Sequence, residues 1–160
     1  MISSAGLSPQ REALAAEVLR RTGRLRLQVH GESMLPALWP GDVAEITSCS
    51  LTDVRRGEIV LAFRENRFSL HRFLATCKDD GFFTRGDSMP GPDPAFPADA
   101  LLGKLTQVVR AGHILPAPRR PWSRTIGMFF CYCSTARRAA LRFHSWRTSP
   151  QLQVSDPETA

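Results

Sequence analysis

At 160 residues the chain is long enough for one domain with its own hydrophobic core. With 42% hydrophobic and 22% charged residues it has the composition of a globular protein, which excludes a disordered polymer. The formal net charge of +6 favours acidic partners (nucleic acid, anionic lipid or acidic protein surfaces) without choosing among them.

Residues 1–24 carry Arg11, Glu12, Glu17, Arg20, Arg21 and Arg24, and so lack the apolar stretch of a secretory signal. No run approaches the roughly 18–20 apolar residues of a membrane-spanning helix. A soluble, cytoplasmic body is expected. Cys49, Cys77, Cys131 and Cys133 contain no Cys-x-x-Cys pair, and Cys131-x-Cys133 has no second pair to complete a zinc site. The expectation is free thiols in a reducing compartment, with no metal and no cofactor.

Ser8-Pro9 reads as a helix N-cap followed by proline at the first helical position. Leu14, Ala15, Val18 and Leu19 form a helical stripe, and Gly23 is its stop, so residues 1–24 are a short packing helix and lead-in. The helix is too short for a DNA-binding helix-turn-helix. From residue 25 the texture becomes that of strands. Leu25, Leu27 and Val29 alternate with polar residues, Val43–Thr47 is a short strand, and residues 58–63 are a continuous apolar run of a buried strand. Residues 64–67 turn the chain into a strand over Phe68–Thr76; Phe82–Arg85 and Leu101–Arg110 follow. The expected class is mainly β, with six or seven antiparallel strands over residues 25–111.

Residues 112–123 (GHILPAPRRPWS) read as a proline-rich linker. Residues 124–147 place Ile126, Phe129, Phe130, Cys133, Ala136, Ala140 and Phe143 at helical spacing, flanked by arginines. This basic amphipathic helix could make peripheral contact with an anionic membrane, or cover the core of its own domain. Residues 148–160 read as a disordered tail.

The most informative stretch is GESMLPALWPGD, residues 31–42, which brackets Ser33 between a turn glycine and a Met-x-Pro. A serine hydroxyl becomes a nucleophile only when a base takes its proton. Among four histidines, His71 stands apart because it lies inside a strand, a rigid platform from which alternation puts Ser69, His71 and Phe73 on one face. A histidine base needs a carboxylate to orient it. Asp87 and Asp93 follow in the turn TRGDSMPGPD, residues 84–93. Only Lys78 and Lys104 are lysines, so a lysine base has two sources: one beside Asp79 in a turn, the other 71 residues beyond the serine. His71 is the better candidate. Gly86-Asp87-Ser88-Met89-Pro90 repeats part of the serine motif but lacks the residue between Met and Pro, which favours Ser33 over Ser88.

These residues resemble a known family. GESMLPALWPGD is similar to the Ser-Met-x-Pro and Gly-Asp boxes of signal peptidase I and the LexA-like self-cleaving repressors. Where the bacterial enzymes and the repressors carry a lysine base, this chain has His71, 38 residues beyond Ser33, which resembles the archaeal and endoplasmic-reticulum signal peptidases. Residues 84–93 resemble that branch's Gly-Asp box, and residues 102–105 its closing Gly-Lys strand. The resemblance covers roughly residues 29–110. It implies a coiled β-barrel fold and a serine endopeptidase in which Ser33 attacks, His71 accepts the proton and Asp87 or Asp93 supports His71. Met34, Pro36, Gly41 and Asp42 would shape the oxyanion and substrate loop. The expected departure is the N-terminal membrane anchor, since residues 1–24 carry no apolar stretch that could serve as one.

The expected partner is therefore a peptide or protein substrate of leader or signal type. The alternative is a non-catalytic module on the same fold that binds extended peptide by strand addition. A nucleic-acid binder rests on charge alone, without recognition helix or stacking platform, so no specific nucleic-acid partner is expected.

Overall fold

The computed structural model describes residues 9–78 and 80–118, with isolated positions between 126 and 142. Helix α1 spans Pro9–Thr22 and is followed by strands β1 (Arg24–Gln28), β2 (Val43–Thr47), β3 (Ile59–Arg64), β4 (Arg67–Thr76), β5 (Phe82–Arg85), β6 (Leu101–Arg110) and β7 (His113–Pro116). The class is mainly β, a seven-stranded antiparallel sheet with a short N-terminal helix.

Helix α1 has Glu12 in its first turn and Arg20 and Arg21 in its last, both favourable to the helix dipole. It stops where Gly23 takes φ 73° and donates its N–H to Leu19 O at 2.9 Å. The stripe it buries differs from the expected one. Leu14 and Val18 are exposed, and Glu12, Ala16 and Leu19 face inward, at positions i, i+4 and i+7. A polar contact sets this rotation: the Glu12 carboxylate accepts the N–H of Phe68 in β4.

The sheet runs β1-β2-β6-β3-β4-β5. Long β6 holds β2 along one edge; its other edge pairs first with β3, through Leu101–Lys104, and then with β7, through Gln107–Arg110. Residues 113–116, expected to be linker, thus complete the edge that β3 leaves vacant. The continuous apolar run of β3 feeds two cores on opposite faces. Ile59 and Leu61 join Met34, Leu38, Ile46, Leu105 and α1. Val60 and Ala62 join Phe73, Phe82, Phe96 and Leu101. Each large side chain fully buried this way contributes about 1.5–3 kcal/mol.

The sheet is not closed into the expected barrel, because β1 and β5 remain its two edges. β5 is only four residues long and pairs with the far half of β4, so the near half, around Phe68 and Leu70, has β3 on one side only. The gap between β1 and β4 is bridged by α1, which packs on both, and not by a further ladder. The hairpin joining β3 to β4 has φ 53° at Glu65 and 57° at Asn66, the two-residue turn that matches strand twist and fixes the register.

No helix among the described residues is long and apolar enough to cross a membrane. Of the described positions of the expected C-terminal helix, 126, 129, 132, 135 and 138–142 have helical backbone and Cys133 does not. The rest of 124–147, the N-cap Ser8 and the tail 148–160 lie outside the described residues.

Candidate active site

The loop between β1 and β2 is anchored at both ends. Met34, Leu35 and Leu38 are buried, which ties its first half to the core. Asp42, 1% exposed, ties the second half. Its carboxylate accepts the Trp39 N–H at 2.8 Å and two hydrogen bonds from Arg110 at 2.8 and 2.7 Å. Arg110 also reaches Ala37 O, so the end of β6 clamps the loop. Gly41 takes φ 95°, a conformation that only glycine adopts easily, and donates to Val29 O. Pro36 follows a cis peptide bond. Met34 lines the cleft beside Ser33, whereas Gly41 and Asp42 shape the loop from behind.

Ser33 meets His71. The serine Oγ is 2.9 Å from Nε2, and Nδ1 is 2.7 Å from Asp93 Oδ2. A carboxylate only accepts, so the ring proton sits on Nδ1 and leaves the Nε2 lone pair for the Ser33 O–H. Ser69 Oγ, on the same face of β4, lies 3.2 Å from Nδ1. Asp93 is held in turn by Thr84, whose Oγ1 donates to Oδ2 at 2.6 Å while its carbonyl accepts the Asp93 N–H at 2.8 Å. The imidazole is 15% exposed and the carboxylate 20%, so water screens their pairing little.

Asp87 does other work. It receives Arg72 Nε at 2.8 Å and Nη2 at 2.6 Å, a fork-to-fork pair in which the carboxylate is buried and the guanidinium partly so. His71 and Arg72 are neighbours in a strand and point to opposite faces, so each takes one of the two aspartates. Arg72 also donates to the carbonyls of Gly57 and Pro118. Ser88 is buried against the Ser33 loop: its N–H donates to Ser33 O at 2.9 Å and its hydroxyl to Glu32 O at 2.8 Å. Gly86 lies so near that a Cβ there would meet Ser33 O at 2.6 Å. The second Gly-x-Ser motif is thus a brace for the first.

The two lysines are elsewhere. Lys78 is exposed in a turn, and Lys104 donates to Asp53 O at 2.8 Å beside Glu58; neither lines the cleft. Cys49, Cys77 and Cys133 are free thiols, and burial pushes that of Cys49 above its ordinary value against the pull of Lys104. No cluster among the described residues could hold a metal ion.

Ser33, His71 and Asp93 open onto a cleft of about 450 Å³. Its walls include Leu27, Val29, Leu38, Leu61 and Leu70. Beyond β1, Val29 spends its N–H and carbonyl on Asp42 and Gly41, so Gln28 and His30 turn their backbone groups the other way, towards the open side. On β4 the β3 register turns those of Leu70 outward in the same sense. Sequence reasoning placed Ser69 on the face of His71 but assigned no role to it, to Thr84 or to Arg72. Alternation from His71 reaches Ser69, and the His71-Arg72 pair with two aspartates downstream was the available signal for the second ion pair. No protein-family model matches the chain, and no curated protein sequence does.

Proposed function

We propose that this protein is a serine endopeptidase of the signal peptidase and LexA-like type, acting on an extended leader- or signal-type peptide segment. The observation that carries this reading is the unbroken line Ser33 Oγ, His71 Nε2, His71 Nδ1, Asp93 Oδ2, with 2.9 and 2.7 Å contacts at the floor of a cleft. Ser33 attacks the scissile carbonyl as His71 takes its proton. Asp93 stabilises the imidazolium, which then protonates the leaving amine, and water repeats the cycle on the acyl-enzyme. The N–H groups of Ser33 and Met34 have no intramolecular acceptor among the described residues and are available to the oxyanion. The outward backbone groups at Gln28, His30 and Leu70 offer an extended substrate ladder partners on both sides.

The test is cleavage of a diverse peptide library, with and without anionic lipid, followed by mass spectrometry. Ser33→Ala and His71→Ala abolish the products, whereas Ser88→Ala keeps them. Peptide retained by the Ser33→Ala protein, with no product from wild type, would replace this reading with a binding module.

A further inference from the structure

Glu12 is the one cleft-lining residue whose burial conflicts with its chemistry. It is 4% exposed, and its Oε2 accepts the N–H of Phe68. Oε1 has no hydrogen bond or ion pair among the described residues. Yet no buried side-chain oxygen or nitrogen among them is both sealed off and unpartnered, so Oε1 keeps an opening. Glu12 lines the cleft, which we take as the opening that Oε1 uses. A carboxylate so placed has lost most of its hydration, keeps one strong donor and presents a bare oxygen to whatever enters.

We infer that Glu12 is a specificity residue that selects substrates carrying a cationic side chain, lysine or arginine, about three residues from the scissile bond. This rests on the peptidase reading. The distance follows from the strand: Phe68 precedes His71 by three residues in β4, about 10 Å at a strand's rise, and a substrate extended along β4 advances at the same rate. The aliphatic stem of the incoming residue lies along Leu27, Leu61 and Leu70, and its charge reaches Oε1.

The cleft also carries Arg64 and Arg67, and the choice between signs is one of magnitude. Both arginines are exposed at its rim, and Arg64 is engaged by Glu65 and Ala95 O. A rim charge acts through water and is screened within about 8–10 Å at ordinary salt. The buried carboxylate acts at short range through a medium several times less polarisable than water. Inside the cleft, Glu12 wins.

The experiment uses the full chain and peptides that bear Lys, Arg, Gln, norleucine or Glu at each position within four of the cleaved bond. Cleavage by wild type and anisotropy-detected binding to Ser33→Ala are read in parallel, at low and at raised salt. The expected result is a preference of about tenfold or more for Lys and Arg over Gln and norleucine at one position, surviving raised salt. The preference collapses in Glu12→Gln, which keeps an acceptor for Phe68 N–H. A merely structural Glu12 would leave that ratio where it was. Cleavage without a basic preference, or with an acidic one, overturns the inference and leaves the peptidase reading standing. Glu12-dependent binding of basic peptides without cleavage upholds the selection of a cationic side chain by Glu12 but overturns the peptidase, and with it the placement relative to a scissile bond. Neither binding nor cleavage overturns both. Because the first comparison varies only the peptide, it holds even if Glu12→Gln fails to fold.

Discussion

Asp93→Asn and Asp87→Asn separate two carboxylates that are six residues apart in one turn. In Asp93→Asn the amide oxygen can occupy the Oδ2 position, so Thr84 and His71 keep an acceptor and only the charge is lost. With charge centres taken about 4 Å apart and an effective dielectric constant of about 20, that charge is worth about 4 kcal/mol to an imidazolium. At about 1.4 kcal/mol per factor of ten, kcat falls roughly 10³-fold. In Asp87→Asn the loss falls on a part-buried guanidinium, Arg72, 12% exposed. Breaking such a pair from one side costs about 3–5 kcal/mol of stability, or roughly 10 °C in the unfolding midpoint. The assay is peptide hydrolysis beside thermal unfolding for each variant. Asp93→Asn with more than a tenth of wild-type kcat, or Asp87→Asn losing more kcat than Asp93→Asn while fully folded, would refute the assignment of Asp93 to His71.

Gly86→Ala drives a methyl group into Ser33 O, so the nucleophile loop shifts and activity drops about 10²-fold, the scale of a 1 Å misplacement; a crystal structure of the variant shows Ser33 Oγ moved off His71. Asp42→Ala strands Arg110 and frees the Trp39 N–H, which lowers stability by about 3 kcal/mol in urea denaturation. Hydrogen bonds from the Ser50 side chain and backbone hold the Asp53 carboxyl below its ordinary value of 3.8. Its contribution to stability is therefore present above that value and lost as pH falls through the lower folded one. In Ser50→Ala the carboxyl titrates higher, as read by carbon NMR of Asp53.

Much of this was legible because the decisive residues sit on regular elements. The boundaries of β2, β5 and β6 follow from their apolar patterns, and parity within β4 puts His71 on a rigid face beside Ser69. The choice between Asp87 and Asp93 was not legible from alternation, because a turn has no period. It is decided by partners that arrive from elsewhere: Thr84 takes Asp93, and Arg72 takes Asp87. β7 escaped notice because all four of its residues are exposed and its tail is proline-rich, so it has no apolar alternation to read. Its register comes from the vacant edge of β6 alone. The inward turn of Glu12 ran against binary patterning, which placed Leu14 and Val18 inside. An overridden pattern of this kind often marks a residue kept for recognition rather than packing.

The brace that Gly86 and Ser88 form behind Ser33 has a consequence for the growing chain. A ribosome that has released residues 1–80 has delivered the serine and the imidazole but neither the brace nor the acid. Ser33 then hangs on a loop whose other clamp, Arg110, is also still to come. On the peptidase reading, the hydroxyl, the base and its counter-charge meet only after synthesis has passed the last third of the sheet, so a half-made chain would be chemically silent towards itself and its neighbours.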